Sequence, residues 1–281
     1  MALVGFCGSR NLPPRWRKLV ADVVYAVARA DRAIAVGCAQ GADAMALRQC
    51  FTPTWALRAP MVQVFVAFGP NGQGDGEWSA TPLVQNISRL PMAMARGDGG
   101  MRVVVNWWAG GDSSVDWSTR LKARSDTMVS AVAASGEGRG LIAFVTAGPG
   151  QSPGTWRTIR QAYKRGLPVV VFSCGCTLRS FPSLGEGRWT TAGSGVWSRG
   201  WKWVKGSAST DEEEPNPIFR LLGWKPLRPS RKRVELDFPL MLNLRRWLYQ
   251  RDQEVEPNTQ GGVTCQTATI EHGGDDCVVS R

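Results

Sequence analysis

Residues 147–162 read AGPGQSPGTWRTIRQA, a turn crowded with glycine and proline that runs into a helical pattern after Thr155. Just before it, residues 140–145 (GLIAFV) form a continuous apolar run of strand length. Strand, glycine turn and helix in that order bring free backbone N–H groups and the positive end of a helix to the carboxyl end of a strand, where an anion is favoured. The question is whether the rest of the chain repeats this unit.

It does, through about residue 176. Residues 3–7 (LVGFC) read as a strand that stops at Gly8-Ser9-Arg10. After Pro13-Pro14, Trp16, Leu19, Val20, Val23, Val24 and Val27 recur at three and four residues, the period of an amphipathic helix. Residues 33–37 (AIAVG) are a second strand, and a short helix carries Met45, Ala46 and Leu47. Residues 61–68, 102–108 and 168–172 are further strands, and Leu121, Met128, Val129 and Val132 share one helical face. From Gly69 to about Gly100 a polar, glycine-rich stretch reads as an insertion or lid. Continuous apolar strands separated by amphipathic helices predict an α/β fold, a doubly wound, mostly parallel, Rossmann-like sheet. Ligands of such sheets sit at the carboxyl ends of the strands, where this chain keeps its glycines.

Beyond residue 176 the style changes. Residues 188–206 are rich in tryptophan and basic residues with a short period, like a hairpin, and an acidic run follows at Asp211-Glu212-Glu213-Glu214. Two short helices are expected at 219–224 and 239–249, and a disordered tail from about residue 254. The expected organisation is a nucleotide-binding domain over 1–176, a smaller Trp-rich basic C-terminal appendage over 177–255, and a tail over 256–281.

Composition narrows the function classes. The chain has 281 residues, a net charge of +11, seven scattered cysteines and a single histidine, His272. This does not resemble a disulfide framework, and one histidine makes a Cys/His zinc site a poor reading, so no metal is expected. No apolar run approaches the ~20 residues that span a bilayer. The first residues lack the basic n-region of a signal peptide. A cytoplasmic protein without a membrane partner is expected, and the basic charge suits an anionic ligand or polyanionic partner.

Three turns carry the site: Gly8-Ser9-Arg10, residues 37–43 (GCAQGAD) and residues 148–155 (GPGQSPGT). In this order, with Arg124-Ser125 and Met128-Val129 between the second and third and GLPVVVF at 166–172 after Ser152, Gly154, Thr155 and Trp156, the chain resembles the SLOG superfamily and its YpsA/YspA-like branch. These are Rossmann-like domains related to the LOG phosphoribohydrolases and to the DNA-processing protein DprA. The resemblance implies a pocket for a nucleotide or nucleotide-derived ligand, with no cofactor certain beyond that ligand, and pairing of protomers into a homo-oligomer. Carried onto this chain, Gly8, Ser9 and Arg10 would line the first phosphate or ribose turn. Gly37, Gly41, Ala42 and Asp43 would form the second, with the carboxylate suited to a ribose hydroxyl. Arg124 would reach in from its helix, and Ser152, Gly154 and Thr155 would hold a phosphate. Plain structural roles compete with these: Asp43 as a helix cap, Arg10 and Arg124 as solvated side chains, and Trp156 as packing rather than a base-stacking ring.

The LOG motif ends in a glutamate needed for N-glycosidic cleavage, and alignment on Gly154-Thr155 puts Thr158 in its place. Asp43, Asp126 and Glu137 are the substitutes to consider, and Cys7 reads as a packing residue. The expectation is therefore a non-hydrolytic sensor or binding module, with a LOG-type hydrolase as one alternative. A DprA-like single-stranded nucleic-acid binder is the other. It would grip bases with Trp197, Trp201 and Trp203 among the cations Arg199, Lys202 and Lys205, and a second basic cluster lies at Lys225, Arg228, Arg231, Lys232 and Arg233.

Overall fold

The computed structural model describes residues 1–51, 60–89 and 102–206. Within them the chain runs β1 (Leu3–Gly8), α1 (Arg17–Arg29), β2 (Ala33–Val36), α2 (Ala42–Cys50), β3 (Met61–Phe65), α3 (Thr81–Ser88) and β4 (Arg102–Asn106). It continues through α4 (Trp117–Ala134), β5 (Gly140–Val145), α5 (Pro153–Lys164), β6 (Val169–Ser173), β7 (Arg188–Thr191) and β8 (Gly200–Val204). The expected helices at 219–224 and 239–249, the acidic run, the second basic cluster, His272 and the tail lie outside the described residues.

Local chemistry explains where the helices start and stop. The apolar stripe of α1 buries Leu19, Val20, Val23, Val24 and Val27, and α4 begins at Asp116, whose carboxylate accepts the Thr119 N–H at 3.0 Å. Pro153 occupies the first turn of α5, where its missing N–H costs nothing. That helix ends at Lys164, and Gly166 just past the Arg165 cap, with a φ of +71°, lets the Leu167 N–H reach back to the Ala162 carbonyl at 3.0 Å.

The strands form one sheet in the order β4-β3-β2-β1-β5-β6-β8-β7. The first six pair in parallel, and β8 pairs antiparallel with both β6 and β7. β1 lies between β2 and β5, with Phe6 level with Val36 on one side and Ile142 on the other. Gly5 and Gly8, an odd number of residues apart on β1, face opposite sides of the sheet and show which helix covers which face. A Cβ on Gly5 would meet Val132 of α4, and one on Gly8 would lie 2.5 Å from the Ala42 Cβ of α2. α4 and α5 therefore cover one face, and α2, with α1 packed on it, covers the other. This is the doubly wound, mostly parallel Rossmann-like arrangement expected from the pattern. The α4/α5 side of the core gathers Leu3, Cys7, Ala33, Ala35, Leu141, Ala143 and Val145 against Val129, Val132, Trp156 and Ile159. No helix among the described residues is long and apolar enough to cross a membrane.

The glycine-rich stretch takes a different form from the simplest sequence reading, and the Trp-rich hairpin joins the main sheet. The glycine-rich stretch after β3 folds back on itself through Gly69 N–H to Gln73 O (2.9 Å) and Gly72 N–H to Gly69 O (2.9 Å). It then enters α3, whose Leu83, Val84 and Ile87 are buried. Polar letters there hide a bonded turn and an eight-residue helix; residues 90–101 lie outside the described part. The Trp-rich segment is a β7–β8 pair that adds two antiparallel strands to the β6 side of the sheet.

Candidate functional site

The winding reverses at β1. β2, β3 and β4 lie to one side of it, β5 and β6 to the other, so the crevice above the carboxyl ends of β1 and β5 is the topological switch point. The first and third turns border this crevice. Ser9 is anchored there twice: its N–H donates to the Phe144 carbonyl at 2.9 Å, and its Oγ accepts the Thr146 N–H at 3.0 Å.

The third turn closes through hydroxyls. Ser152 Oγ lies 3.3 Å from Ser9 Oγ and 3.2 Å from Thr155 Oγ1. Ser152 is the N-cap of α5, yet its side chain makes no capping bond to the helix backbone, and the first turn of α5 holds no acidic residue. The amino end of α5 is thus left positive and uncapped.

The glycines separate into two kinds. At Gly41 φ is +73°, and a Cβ there would strike the carbonyls of Ser9 and Arg10; at Gly37 it would strike the Arg124 guanidinium and the Asp43 carboxylate. The fold itself requires those residues. Gly150 and Gly154 differ, because a Cβ on either would meet nothing within 4 Å. Gly154 is the second residue of α5 and has no left-handed φ, so its backbone is one that alanine could adopt at a gain of about 0.4–1 kcal/mol. Nothing in the packing of the described residues explains why a side chain is missing there.

The second turn is built on charge. Asp43, at the start of α2, and Arg124, on α4, come from opposite faces of the sheet and meet above β2 at 3.2 Å. Both side chains are buried, at 6% and 7% exposure respectively. The Asp43 carboxylate also accepts the Ala39 N–H at 3.2 Å. Burial pushes its pKa above the ordinary carboxylate range, against the pull of Arg124, the Ala39 amide and Arg10. Asp43 is thus engaged within the fold as a clasp between layers. Ala42 is buried and donates its N–H to the Ser9 carbonyl at 3.2 Å, which seats the second turn on the first. Arg10 is exposed beside them.

The other substitute acids are also committed or distant. Asp126 pairs with Arg157 through contacts of 2.9 and 2.6 Å. Glu137 precedes β5, at the amino end of the sheet. Thr158 is buried and turns its hydroxyl back to the Gly154 carbonyl at 3.1 Å. Burial, with the Asp43 charge behind it, raises the Cys7 thiol far above its usual range, and no thiolate nucleophile stands at the first turn. Among the described residues no cluster of His, Cys, Asp and Glu could hold a metal.

The aromatic residues singled out from sequence are mostly packed. Trp156 is fully buried, donates its indole N–H to the Ala147 carbonyl at 2.8 Å, and meets Phe181 and Trp189 edge to face at 5.1 and 6.4 Å. Trp197 is buried against Phe172. Trp201 packs against the α4/α5 core, and Trp203 lies between Trp189 at 5.2 Å and Tyr163 at 6.4 Å. Of the accompanying cations, Arg199 and Lys205 are exposed and Lys202 is half-buried; the Lys205 ammonium lies 5.9 Å from the Tyr163 ring.

Two residues at this edge escaped sequence reasoning. Arg120, one turn before Arg124, is buried with its guanidinium between Trp108 and Trp117, 5.4 Å from each ring, and donates to the Ala67 carbonyl at 3.0 Å. Its Nε has no partner among the described residues. Trp78 has a φ of +66°, a left-handed conformation that costs a bulky residue on the order of 1–3 kcal/mol. It is the one exposed tryptophan among the described residues, at 46%. The available signal was the Glu77-Trp78-Ser79 triplet, an aromatic residue in an otherwise polar loop.

No family model and no curated protein matches the chain. Among solved structures it is similar to DNA processing protein A from Streptococcus pneumoniae, at 17% identity over 64% of this chain and 53% of that one, with a TM-score of 0.43. It is also similar to DNA processing protein A from Helicobacter pylori, described for its single-stranded DNA binding mode, at 14% identity over 64% and 67%, with a TM-score of 0.41. The chain thus spans about half the length of the first of these.

Proposed function

We propose that the protein binds a nucleotide or nucleotide-derived ligand at the β1/β5 switch point, with a phosphate at the amino end of α5, and that it acts as a binding or sensing module. The observation that carries this reading is the pair Gly150 and Gly154. Both face open space beside the uncapped start of α5, next to the Ser9, Ser152 and Thr155 hydroxyls. Absent side chains that the packing does not demand, together with free N–H groups and hydroxyl donors, suit a tetrahedral anion approaching the backbone. The acids that could assist cleavage support binding over hydrolysis: Asp43 is clasped by Arg124, and Asp126 by Arg157.

The test is to denature the purified protein and identify the released small molecules by mass spectrometry, with Gly154→Val and Arg10→Ala as variants. A nucleotide released from the parent and absent from Gly154→Val is the expected result. An intact species supports a sensor, whereas free base or ribose phosphate supports a hydrolase. If both variants fold and retain the ligand as the parent does, the reading is wrong. A companion effect is expected of Gly154→Ala, which should stabilise the ligand-free protein by about 0.4–1 kcal/mol in thermal melts. The same variant should bind ligand less tightly.

A further inference from the structure

The exposed tryptophan next to the second turn extends this reading. The backbone around Trp78 is stitched to that turn. Its carbonyl accepts the Gln40 N–H at 2.8 Å, the Ala80 N–H donates to the Cys38 carbonyl at 2.7 Å, and Ala39 and Ser79 form an antiparallel bridge. Those two backbone bonds make up the bridge, and the Gln40 side chain adds a third link, donating to the Ser79 carbonyl at 3.3 Å. The loop is held from its other end by Arg120, which donates to the Ala67 carbonyl and is itself wedged between Trp108 and Trp117. Trp78 is thus kept in a left-handed conformation, with its ring part-way into solvent, by a frame tied directly to the site.

The second turn rests on the first through the Ala42–Ser9 bond, and the first meets the third through the Ser9–Ser152 contact. Along the carboxyl edge the order is the α5 hydroxyls above β5, Ser9 and Arg10 after β1, and then Gln40 and Trp78 beyond β2. From β5 to β2 is two inter-strand spacings, about 10 Å, and Trp78 lies just beyond, in the loop between β3 and α3 that is bonded to the turn after β2. A half-exposed indole, such as that of Trp78 at 46%, offers a surface on which a base stacks, and a two-ring base covers more of it than a one-ring base.

We propose that Trp78 is the base-binding residue of this site and that the ligand is a purine nucleotide, its phosphate at the start of α5 and its base on the Trp78 indole. This rests on the nucleotide reading above and adds the class of base and the residue that selects it. Other exposed groups along the same strip, Arg10 and Gln40, lie between the two ends.

The experiment is calorimetric titration of the full-length parent, Trp78→Ala and Trp78→Gly with AMP, UMP and ribose 5-phosphate. The parent should bind AMP more tightly than UMP. Trp78→Ala should weaken AMP by about 10- to 100-fold, bring AMP and UMP level, and leave ribose 5-phosphate unchanged. Trp78→Gly should lose AMP in the same way while melting at a higher temperature than the parent, since glycine accepts a positive φ without strain; loss of binding is then not loss of fold. Equal AMP affinity in parent and Trp78→Ala, or UMP bound as tightly as AMP by the parent, overturns the proposal and leaves phosphate binding standing. If none of the three compounds binds the parent, the nucleotide reading fails and the proposal fails with it.

Discussion

Arg124→Ala should remove on the order of 3–5 kcal/mol of folding stability, read as a fall in the urea midpoint at unchanged slope. The substitution leaves Asp43 at 6% exposure with its ion-pair partner gone, its carboxylate left with the Ala39 N–H and the more distant charge of Arg10. It also opens a void above Gly37, whose missing side chain makes room for the guanidinium. Asp43→Ala should cost a similar amount, because it strands a buried guanidinium whose Nε already lacks a partner among the described residues. The double variant Asp43→Leu, Arg124→Met should recover most of the loss, since apolar groups of similar volume carry no desolvation penalty. If each single change costs less than about 1 kcal/mol, as exposed pairs do, the clasp between the two helical layers has been misread.

Trp156→Ala is expected to be comparably damaging, about 3–5 kcal/mol. The ring is fully buried, sits among Phe181, Trp189 and the β5–β6 core, and gives up its only polar atom to the Ala147 carbonyl. Trp156→Phe separates the two contributions: it keeps much of the apolar contact but removes the bond to the loop, for an expected loss of about 1–3 kcal/mol. Ala147 immediately precedes the third turn, so the phenylalanine variant should also weaken phosphate binding by loosening the backbone that enters it. A Trp156→Ala protein with parental stability would show that the indole is not the keystone of the α5 packing and would return it to the ligand-facing residues.

The strands and most helices were legible because each obeys a simple period. Continuous runs such as residues 140–145 signal a strand covered on both faces, and the three- and four-residue spacing from Leu19 to Val27 marks α1. The position of the site was legible for the same reason, since strand-end glycines and a parallel sheet together locate a switch point. The division of labour within the site was not. Gly37, Gly41, Gly150 and Gly154 are the same letter, and only three-dimensional neighbours separate glycines the fold demands from those it does not. Arg120 and Arg124 are polar letters on a helix surface, and no period announces that both point into the protein, one between two indoles and the other against Asp43. Trp78 was hidden by its setting in a polar loop, where composition predicts exposure but not a strained and anchored indole.

The central place of β1 also bears on how the chain is made. Synthesis delivers β1 first, then β2, β3 and β4 on one side; the strand that pairs with its other side, β5, begins only at Gly140. At 5–20 residues per second, the β5-facing edge of Leu3–Gly8 waits on the order of ten seconds for its partner. That edge belongs to an almost wholly apolar strand, and the unfinished half-sheet lacks the α5 layer that will later cover it. For this interval the nascent chain carries an unpaired hydrophobic strand, the kind that associates with other chains, and its yield in a cell rests on whatever shields the half-sheet until the second half emerges.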